Sequence, residues 1–335
     1  MRAVMLNDYG SWDQLAMAEV PRPVPGADEV LVKVAYGGLR WGDVMQSNGF
    51  PSRARATPFV AGQEAAGVVE AVGANVRSVK PGARVVALPF SGAWAEYVCV
   101  PETRVTELPD RVSLSQALIY PVNLLTAYYA VVVWAKVQPG ERVLLHAAAG
   151  GVGLLALQIL KRKLRDVQVV ALASSDKKLD IVREHGADYA IDYKKSDYVA
   201  EINRIFGAKA TGFMTGGERG GGVDVSLNGV SGPTLETDPQ VIRKRGRWVI
   251  YGWAGGRGAL NTAAFGYDGI TIMPFSSIAW MGTPEHRAGL QFVQDWLMHE
   301  PLLEPSIYSF SDAPAALQAL AQGSTHGKVV LQIGA

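Results

Sequence analysis

One stretch of this chain, RVLLHAAAGGVGLLALQIL from Arg142 to Leu160, limits strongly how the chain can fold. Its apolar start after the Pro139-Gly140 turn predicts a short buried strand, its glycines end that strand, and the following apolar residues predict a helix. This succession brings free backbone N–H groups and the positive end of a helix dipole to one point, as in sites for the pyrophosphate of a dinucleotide. Many turns between a strand and a helix need glycine, so the pattern alone also fits a turn without a ligand.

Length and composition indicate two globular domains. The 335 residues exceed a comfortable single core, and 48% hydrophobic residues are enough to fill two. The net charge of +1, without long runs of one sign, disfavours nucleic acid or an anionic membrane surface as a partner. The single cysteine excludes an internal disulfide, and the first residues lack an apolar signal region. We therefore expect a cytoplasmic protein with a small-molecule substrate.

An uncharged segment from Val112 to Ala135 is long enough to span a bilayer. It contains serine, threonine, asparagine, glutamine and proline residues, and such polar or helix-breaking residues are unfavourable against lipid. We interpret it as two buried segments joined at Tyr120-Pro121 and expect no stable membrane insertion.

The pattern of secondary structure changes along the chain. The first third has short β-prone runs, such as Glu29 to Ala35 and Glu64 to Val72, separated by glycine and proline, which predict a small barrel. The middle third alternates strands and helices, which predicts a parallel sheet covered on both faces. There we expect a helix over Pro239 to Arg245 and a mobile connector in the glycine-dense loop between Gly207 and Gly222. The tail returns to β-structure.

This order of elements resembles the medium-chain dehydrogenase/reductase superfamily from end to end. Motifs in the order of that superfamily are GQEAAGVVEAVG, PGERVLLHAAAGGVG, HGADYAIDY and HGKVVL. The turn Ala147-x-x-Gly150-x-x-Gly153 is similar to that of the zinc-independent quinone oxidoreductase branch, which includes VAT-like proteins and is related to polyketide-synthase enoyl reductase domains. The resemblance implies an α/β fold with a GroES-like, β-rich catalytic domain over residues 1–123 and 269–335. It also implies a doubly wound parallel-sheet (Rossmann) nucleotide-binding domain over residues 124–268.

The resemblance also implies that no metal is bound. Zinc-dependent relatives place a catalytic cysteine where this chain has Arg40 and a histidine where it has Gln63, and they add a lobe with four cysteines. Since these are the ligands that zinc prefers, we expect no zinc site here. A hydride acceptor must then be activated by protein groups alone, which favours quinones, enones or enoyl thioesters over alcohols.

The candidate catalytic residues are Arg40, Trp41 and Gln63. Quinone reductases usually have asparagine followed by tyrosine or phenylalanine at the first two positions, so this chain departs from them. The guanidinium could hydrogen-bond a carbonyl as it becomes an enolate or bind a carboxylate, and the indole could stack on a flat ring. The alternative is that Arg40 pairs with an acid such as Asp43 and that Trp41 packs between the domains.

The choice of cofactor depends on the tip of the second strand of the nucleotide-binding fold. NAD enzymes have an acid there that binds the ribose 2′-hydroxyl, whereas this chain has Ala173-Ser174-Ser175. NADPH-dependent relatives have serine, lysine and tyrosine at positions that match Ser174, Lys178 and Tyr193, so we expect NADPH. The nearby Asp176 could instead cap the helix, and the lysines could be a solvated face. Further cofactor contacts implied by the resemblance are Asn123, Thr126, Ala149, Gly150, Gly151, Val152, Gly153, Asn228, Val230, Tyr251, Gly252, Phe275, Ser276 and Lys328.

Together these features predict a zinc-independent, NADPH-dependent oxidoreductase that transfers hydride to a quinone or an activated C=C acceptor. The alternative is a cofactor-binding protein of the same fold with a binding, structural or lipid-handling role and little turnover. The sixth strand of the nucleotide-binding fold, Gly269 to Met273, is expected at a sheet edge. Relatives dimerise at that edge, so we also expect a homodimer.

Overall fold

The computed structural model describes residues 1–50, 55–210, 220–264 and 266–334. The glycine-dense loop that we expect to be a connector therefore lies mostly outside the described residues. The strands in chain order are β1 (Arg2–Leu6), β2 (Leu15–Glu19), β3 (Glu29–Leu39), β4 (Phe59–Val60), β5 (Glu64–Val72), β6 (Arg84–Ala87), β7 (Tyr97–Pro101), β8 (Val105–Glu107), β9 (Arg142–Leu145), β10 (Gln168–Ala173), β11 (Tyr189–Asp192), β12 (Val223–Asn228), β13 (Ile242–Ile250), β14 (Thr271–Pro274), β15 (Ser306–Ser309) and β16 (Val329–Gln332). The α-helices are α1 (Trp41–Ser47), α2 (Leu114–Ala117), α3 (Leu125–Tyr128), α4 (Gly151–Lys163), α5 (Asp176–Glu184), α6 (Tyr198–Phe206), α7 (Thr234–Thr237), α8 (Pro284–His299) and α9 (Ala313–Ala321).

The chain divides into two compact units. Unit 1 comprises Met1–Pro121 and Gln294–Ala335, and unit 2 comprises Val122–Val293. The division expected from the sequence has its second boundary after residue 268, earlier than the boundary between the units. Part of this difference arises because β14, which ends at Pro274, pairs in parallel with β13 and so belongs to the sheet of unit 2.

Unit 1 is built on antiparallel β-structure. Its seven-stranded sheet has the order β15-β16-β3-β5-β6-β8, with β7 also paired to β3, and a smaller sheet has the order β2-β1-β4. Alternate residues of β3, Val30, Val32 and Val34, point into one apolar core, as the period of two in a strand requires. α9 contributes Ala316 and Leu317 to the same core, which ties the C-terminal segment to the first third of the chain. The β-rich first domain is therefore confirmed.

Unit 2 contains a six-stranded sheet in the order β11-β10-β9-β12-β13-β14. Every one of these neighbouring strand pairs is parallel. Numbered within the unit, the order is 3-2-1-4-5-6, which is that of the doubly wound nucleotide-binding fold. The direction of winding changes between β9 and β12, the position at which such sheets bind ligands beyond the carboxyl ends of the strands. The expected parallel sheet is confirmed.

The expected helix over Pro239 to Arg245 is wrong. The helical residues lie earlier, in α7 and in a 3₁₀ turn at Asp238–Gln240, and β13 follows them. The register shifts between the pairs Val223–Ile242 and Val225–Arg247, so residues 243–246 lie in a bulge where Arg245 has a φ of 58°. Because a bulge interrupts the alternation of buried and exposed residues, it hides the period by which a strand is identified.

The uncharged segment forms helical structure. Its pieces join at a turn over residues 118–119, immediately before the expected junction at Tyr120-Pro121. Wide π-helical turns at Tyr120–Leu124 and Tyr129–Trp134 flank α3. The run Leu114–Trp134 is long and apolar enough to cross a membrane, but 67% of its most apolar window is buried inside the protein. A core helix has the same properties.

Candidate functional site

The glycine turn joins β9 to α4 at the winding change of the parallel sheet. Gly150 is the N-cap of α4 in an extended conformation and has no side chain with which to cap the helix. The first N–H groups of α4 are therefore available to an anion, which the helix dipole also favours. A Cβ at Gly153 would lie 2.4 Å from the Ala147 carbonyl oxygen, so only glycine fits there. Ala149 is buried in the turn, whereas Gly151 and Val152 are partly exposed.

The tip of β10 lacks an acid that could receive a ribose 2′-hydroxyl. Ser174 follows the last residue of β10 directly, and the Ser175 side chain caps α5 by accepting from the Lys178 N–H. Asp176 does not cap the helix, and its carboxylate pairs with Lys195 Nζ at 2.8 Å. The Tyr193 N–H donates to the Ala173 carbonyl at 3.2 Å, which places this tyrosine beside the tip.

Two lysines lie close together at this tip. Partial burial, and then the neighbouring Lys194 ammonium, lower the pKa of Lys178. Like charges repel, so their proximity favours an anion that both can bind. Lys194 was not identified from the sequence, although its position directly after Tyr193 in HGADYAIDYK is a signal that could have found it. Ser174, Lys178 and Tyr193, expected together on the sequence, are thus placed at one end of the sheet with Lys194.

The Asn228 side chain shapes the loop that follows β12. Its Oδ1 accepts from the N–H groups of Val230 and Ser231, both at 2.9 Å. Its Nδ2 donates to Thr234 Oγ1 and to Asp238 Oδ2, both at 2.8 Å. These bonds use both N–H groups and both acceptor positions of the amide. The side chain therefore positions the loop of Val230, and a contact of this loop with a cofactor stays a prediction.

Asn123 and Thr126 lie one turn apart on the same helical run. Asn123 is in the π-helical turn, Thr126 is in α3, and both side chains are 8% exposed. Residues three apart share a helix face, and π-helical turns occur frequently at functional sites. The structure thus brings these two predicted contacts together on one face.

The predicted contacts after β13 and β14 are packed against other parts of unit 2. Ser231 Oγ donates to the Gly252 carbonyl at 2.7 Å, which joins the loops after β12 and β13. Phe275 is 6% exposed and lies in a group of rings, with centroids 6.0 Å from Tyr129 and 6.2 Å from Tyr251. Phe275 therefore has a core packing role, and Ser276 precedes a short 3₁₀ turn.

A buried polar cluster in unit 1, which we call the Arg40 cluster, consists of Arg40, Asp43, Gln63, Glu64 and Lys328. Arg40 Nη2 donates to Gln63 Oε1 at 2.7 Å, and Gln63 Nε2 donates to Asp43 Oδ1 at 3.0 Å. Asp43 Oδ2 accepts from the Arg40 backbone N–H at 2.8 Å, which closes the ring. Lys328 Nζ hydrogen-bonds Glu64 Oε2, and Arg40 Nε lies 3.6 Å from Glu64 Oε1. Two cations and two acids are thus enclosed together.

The cluster fixes the orientation of the Arg40 guanidinium. Only the amide nitrogen of Gln63 can donate to the Asp43 carboxylate, so the amide oxygen must face Arg40. Burial raises the pKa of Asp43 to about 6, against the opposing charge and backbone hydrogen bond of Arg40. The Arg40 side chain is 9% exposed, and its Nε is buried with no hydrogen-bond partner among the described residues, 3.6 Å from Glu64 Oε1. A guanidinium held in one orientation is suited to polarise a carbonyl oxygen.

Trp41 and Lys328 are two further predicted site residues of unit 1. Trp41 packs against the apolar core of unit 1, and both of its predicted roles, stacking on a ring or packing between the domains, stay predictions. Lys328 is 2% exposed and paired with Glu64, so its ammonium neutralises a buried acid. This ion pair was not identified from the sequence because its members are 264 positions apart.

In the part of the chain that the structure describes, no three histidine, cysteine or acidic side chains are grouped to hold a metal.

Comparison with known proteins supports both units. A family model described as "Alcohol dehydrogenase GroES-like domain" matches residues 26–110, and one described as "Zinc-binding dehydrogenase" matches residues 151–295. The rat synaptic vesicle membrane protein VAT-1 homolog is 34% identical over 256 residues, which are 76% of this chain and 60% of the rat protein. This chain therefore spans about six tenths of the length of that relative.

Solved structures resemble the chain over its full length. The Escherichia coli quinone oxidoreductase complexed with NADPH has a TM-score of 0.86 at 25% identity, covering 99% of this chain and 100% of that one. The CurK enoyl reductase has a TM-score of 0.82 at 28% identity, covering 99% and 98%. The domain models and these similarities agree with the fold of each unit, and the chain belongs to the medium-chain dehydrogenase/reductase superfamily, in its quinone oxidoreductase branch.

Proposed function

We propose that this chain is an NADPH-dependent oxidoreductase that transfers hydride to a quinone or an activated C=C acceptor without a zinc ion. The observation that carries the proposal is the guanidinium of Arg40, which Gln63 holds at 2.7 Å in a buried cluster. These two residues stand where zinc-dependent relatives place a cysteine and a histidine. The E. coli quinone oxidoreductase with NADPH and the CurK enoyl reductase, both similar over their full length, support the acceptor classes.

The residues of unit 2 fit NADPH. The uncapped start of α4 and the close approach at Gly153 suit a pyrophosphate. Ser174, Lys178 and Lys194 suit a 2′-phosphate, because two neighbouring ammonium groups favour a dianion. When bound, NADPH supplies the hydride.

Arg40 acts on the acceptor in this proposal. An acceptor that receives hydride gains negative charge on its carbonyl oxygen, and a guanidinium N–H aimed at that oxygen binds it more strongly as the charge grows. Lys328 neutralises Glu64 from its other side, so Glu64 does not cancel the charge of Arg40 completely. The Gln63–Asp43 link keeps the guanidinium in place, so little reorganisation is needed during the reaction.

Substitution of Arg40 by methionine tests this role. Removal of one such donor costs about a hundredfold to a thousandfold in kcat. We expect that loss in NADPH oxidation with a panel of quinones and enones, with the Kd for NADPH unchanged. The matched control is Arg22→Met, because Arg22 also pairs with a glutamate, Glu70, but 45% of its side chain is exposed. An Arg40→Met enzyme with wild-type kcat on every accepted substrate contradicts the role.

A cofactor-binding protein with little turnover is the second candidate. It is favoured by the low exposure of Arg40 and by the similarity to a protein named for synaptic vesicle membranes. Tight NADPH binding by the wild type with no turnover of any quinone or enone supports this candidate and refutes the reductase. Metal independence has a separate test: turnover should survive dialysis against a chelator, and its loss and recovery with zinc contradict a metal-free enzyme.

The choice of NADPH over NADH is tested at the tip of β10. A hydrogen bond to a charged group contributes about 1.5 to 3 kcal/mol, so Lys178→Ala or Lys194→Ala should weaken NADPH binding roughly tenfold to a hundredfold and leave NADH binding unchanged. Lys195→Ala is the matched control, because Lys195 already pairs with Asp176 at 2.8 Å and Asp192 at 3.4 Å. If all three variants keep the wild-type ratio of the two Kd values, the NADPH assignment fails.

We also propose a cytoplasmic homodimer. β14 is the last strand of the six-stranded sheet, and an edge strand can pair with the same strand of a second copy. Light scattering on the purified protein should give twice the mass of the chain. A proline in place of Ile272, in the middle of β14, should give the monomer mass, and a wild-type monomer contradicts the proposal.

A further inference from the structure

Asp238 is a completely buried carboxylate of unit 2, in the 3₁₀ turn that precedes β13. Its Oδ1 accepts from His146 Nε2 at 2.8 Å and from the Tyr198 hydroxyl at 2.7 Å. Its Oδ2 accepts from Ser226 Oγ at 2.7 Å and from Asn228 Nδ2 at 2.8 Å. These bonds use the acceptor positions of both oxygens, so the network around Asp238 is fully satisfied.

The carboxylate is ionised within this network. Burial acts to raise the pKa of Asp238, but the His146 ring and the hydrogen bonds from His146, Ser226 and Tyr198 hold it below its ordinary value. An ionised carboxylate only accepts hydrogen bonds, so His146 Nε2 must carry a proton. The bonds are therefore charge-assisted and stronger than those between neutral groups.

Two of the four donors directly precede loops at the winding change of the sheet. His146 precedes the glycine turn, and Asn228 precedes the loop of Val230. His146 follows β9, and its backbone N–H donates to the Leu227 carbonyl at 3.0 Å. Asn228 ends β12, and its Oδ1 holds the N–H groups of Val230 and Ser231. A continuous chain of contacts thus runs from the glycine turn through Asp238 to residues 230–231. The other two donors, Tyr198 in α6 and Ser226 within β12, belong to neither loop.

We infer that Asp238 is a positioning residue for the cofactor, which holds the glycine turn and the loop after Asn228 in one arrangement through His146 and Asn228. The inference rests on the proposed NADPH binding. A dinucleotide contacts both loops at once, so their alignment before binding lowers the entropy that binding must otherwise remove. In this role Asp238 acts through His146 and Asn228, and the effect passes through the backbone of the two loops.

The test compares Asp238→Asn, His146→Phe and Tyr198→Phe by NADPH titration and by amide hydrogen exchange of the unliganded protein. Asparagine keeps the shape of Asp238 but places an N–H group against one pair of donors. We expect both Asp238→Asn and His146→Phe to raise the Kd for NADPH at least tenfold. We also expect His146→Phe to speed exchange at residues 230–231, on the far side of Asp238. Tyr198→Phe removes one bond to the same oxygen from α6, so it should lower thermal stability without changing the Kd.

The outcomes separate this inference from the proposed function. If the wild type does not bind NADPH, the cofactor assignment fails and the inference fails with it. If the wild type binds NADPH and His146→Phe leaves both the Kd and the exchange of residues 230–231 unchanged, only the inference fails. An equal rise in Kd for Tyr198→Phe and His146→Phe also refutes the inference, because equal rises indicate a general loss of stability. His146→Phe keeps the test decisive if Asp238→Asn does not fold.

Discussion

Replacing Asp43 by asparagine should change how the stability of this protein depends on pH, and the structure determines the sign. The carboxylate is 4% exposed, and it accepts from the Arg40 backbone N–H and from Gln63 Nε2. Loss of hydration on burial disfavours its charged form, whereas Arg40 and Lys328 favour that form and Glu64 opposes it. Burial has the larger effect, and the pKa of Asp43 rises from 3.8 to about 6.

The contribution of Asp43 to the free energy of unfolding follows from this pKa. The folded protein binds a proton at Asp43 more tightly than the unfolded chain, so the contribution of this group to stability increases as the pH falls through about 6. It is fully present only below the unfolded pKa of 3.8. At about 1.4 kcal/mol for each pKa unit, the full change is about 3 kcal/mol. Between pH 7 and pH 5 the same linkage gives about 1.3 kcal/mol.

The assay is urea unfolding of the wild type and Asp43→Asn at several pH values between 5 and 7. Other titrating groups contribute to both proteins, so the difference between the two unfolding free energies isolates Asp43. The wild type should gain about 1.3 kcal/mol relative to the variant on going from pH 7 to pH 5. A relative loss over the same range refutes the reasoning, because it means that the attraction of Arg40 outweighs burial.

Two further substitutions test other buried contacts. Lys328→Met leaves Glu64 completely buried without its ammonium partner, and we expect a loss of about 3 to 5 kcal/mol in urea unfolding. Lys195→Met, at an ammonium that is 62% exposed, should cost less than about 1 kcal/mol, and equal losses contradict the importance of the buried pair. Gly153→Ala places a Cβ 2.4 Å from the Ala147 carbonyl, so the turn must open and the Kd for NADPH should rise at least tenfold in a titration. An unchanged Kd contradicts the close approach.

Features that depend on neighbouring residues could be predicted from the sequence. The strand, glycine turn and helix from Arg142 to Leu160 need only local patterning, and the structure shows β9, the Gly150 N-cap and α4 there. The position of Ser174 at the tip of β10 could also be predicted from the sequence, because the strand ends immediately before this serine. Local patterning failed at Pro239 to Arg245, where a bulge in β13 removes the alternation that marks a strand.

The partners of the polar side chains were decided only by the tertiary structure. The sequence singled out Arg40 and Gln63 but did not reveal that Asp43 sets the orientation of Gln63, or that Lys328 neutralises Glu64. The fold gives the side chains of Asn228 and Lys328 internal partners, and their expected contacts with the cofactor stay predictions. Local sequence determines where strands end and glycine is required, because backbone geometry acts over a few residues. Which charged side chains pair depends on strand pairing between distant segments, and burial strengthens the interaction within each pair.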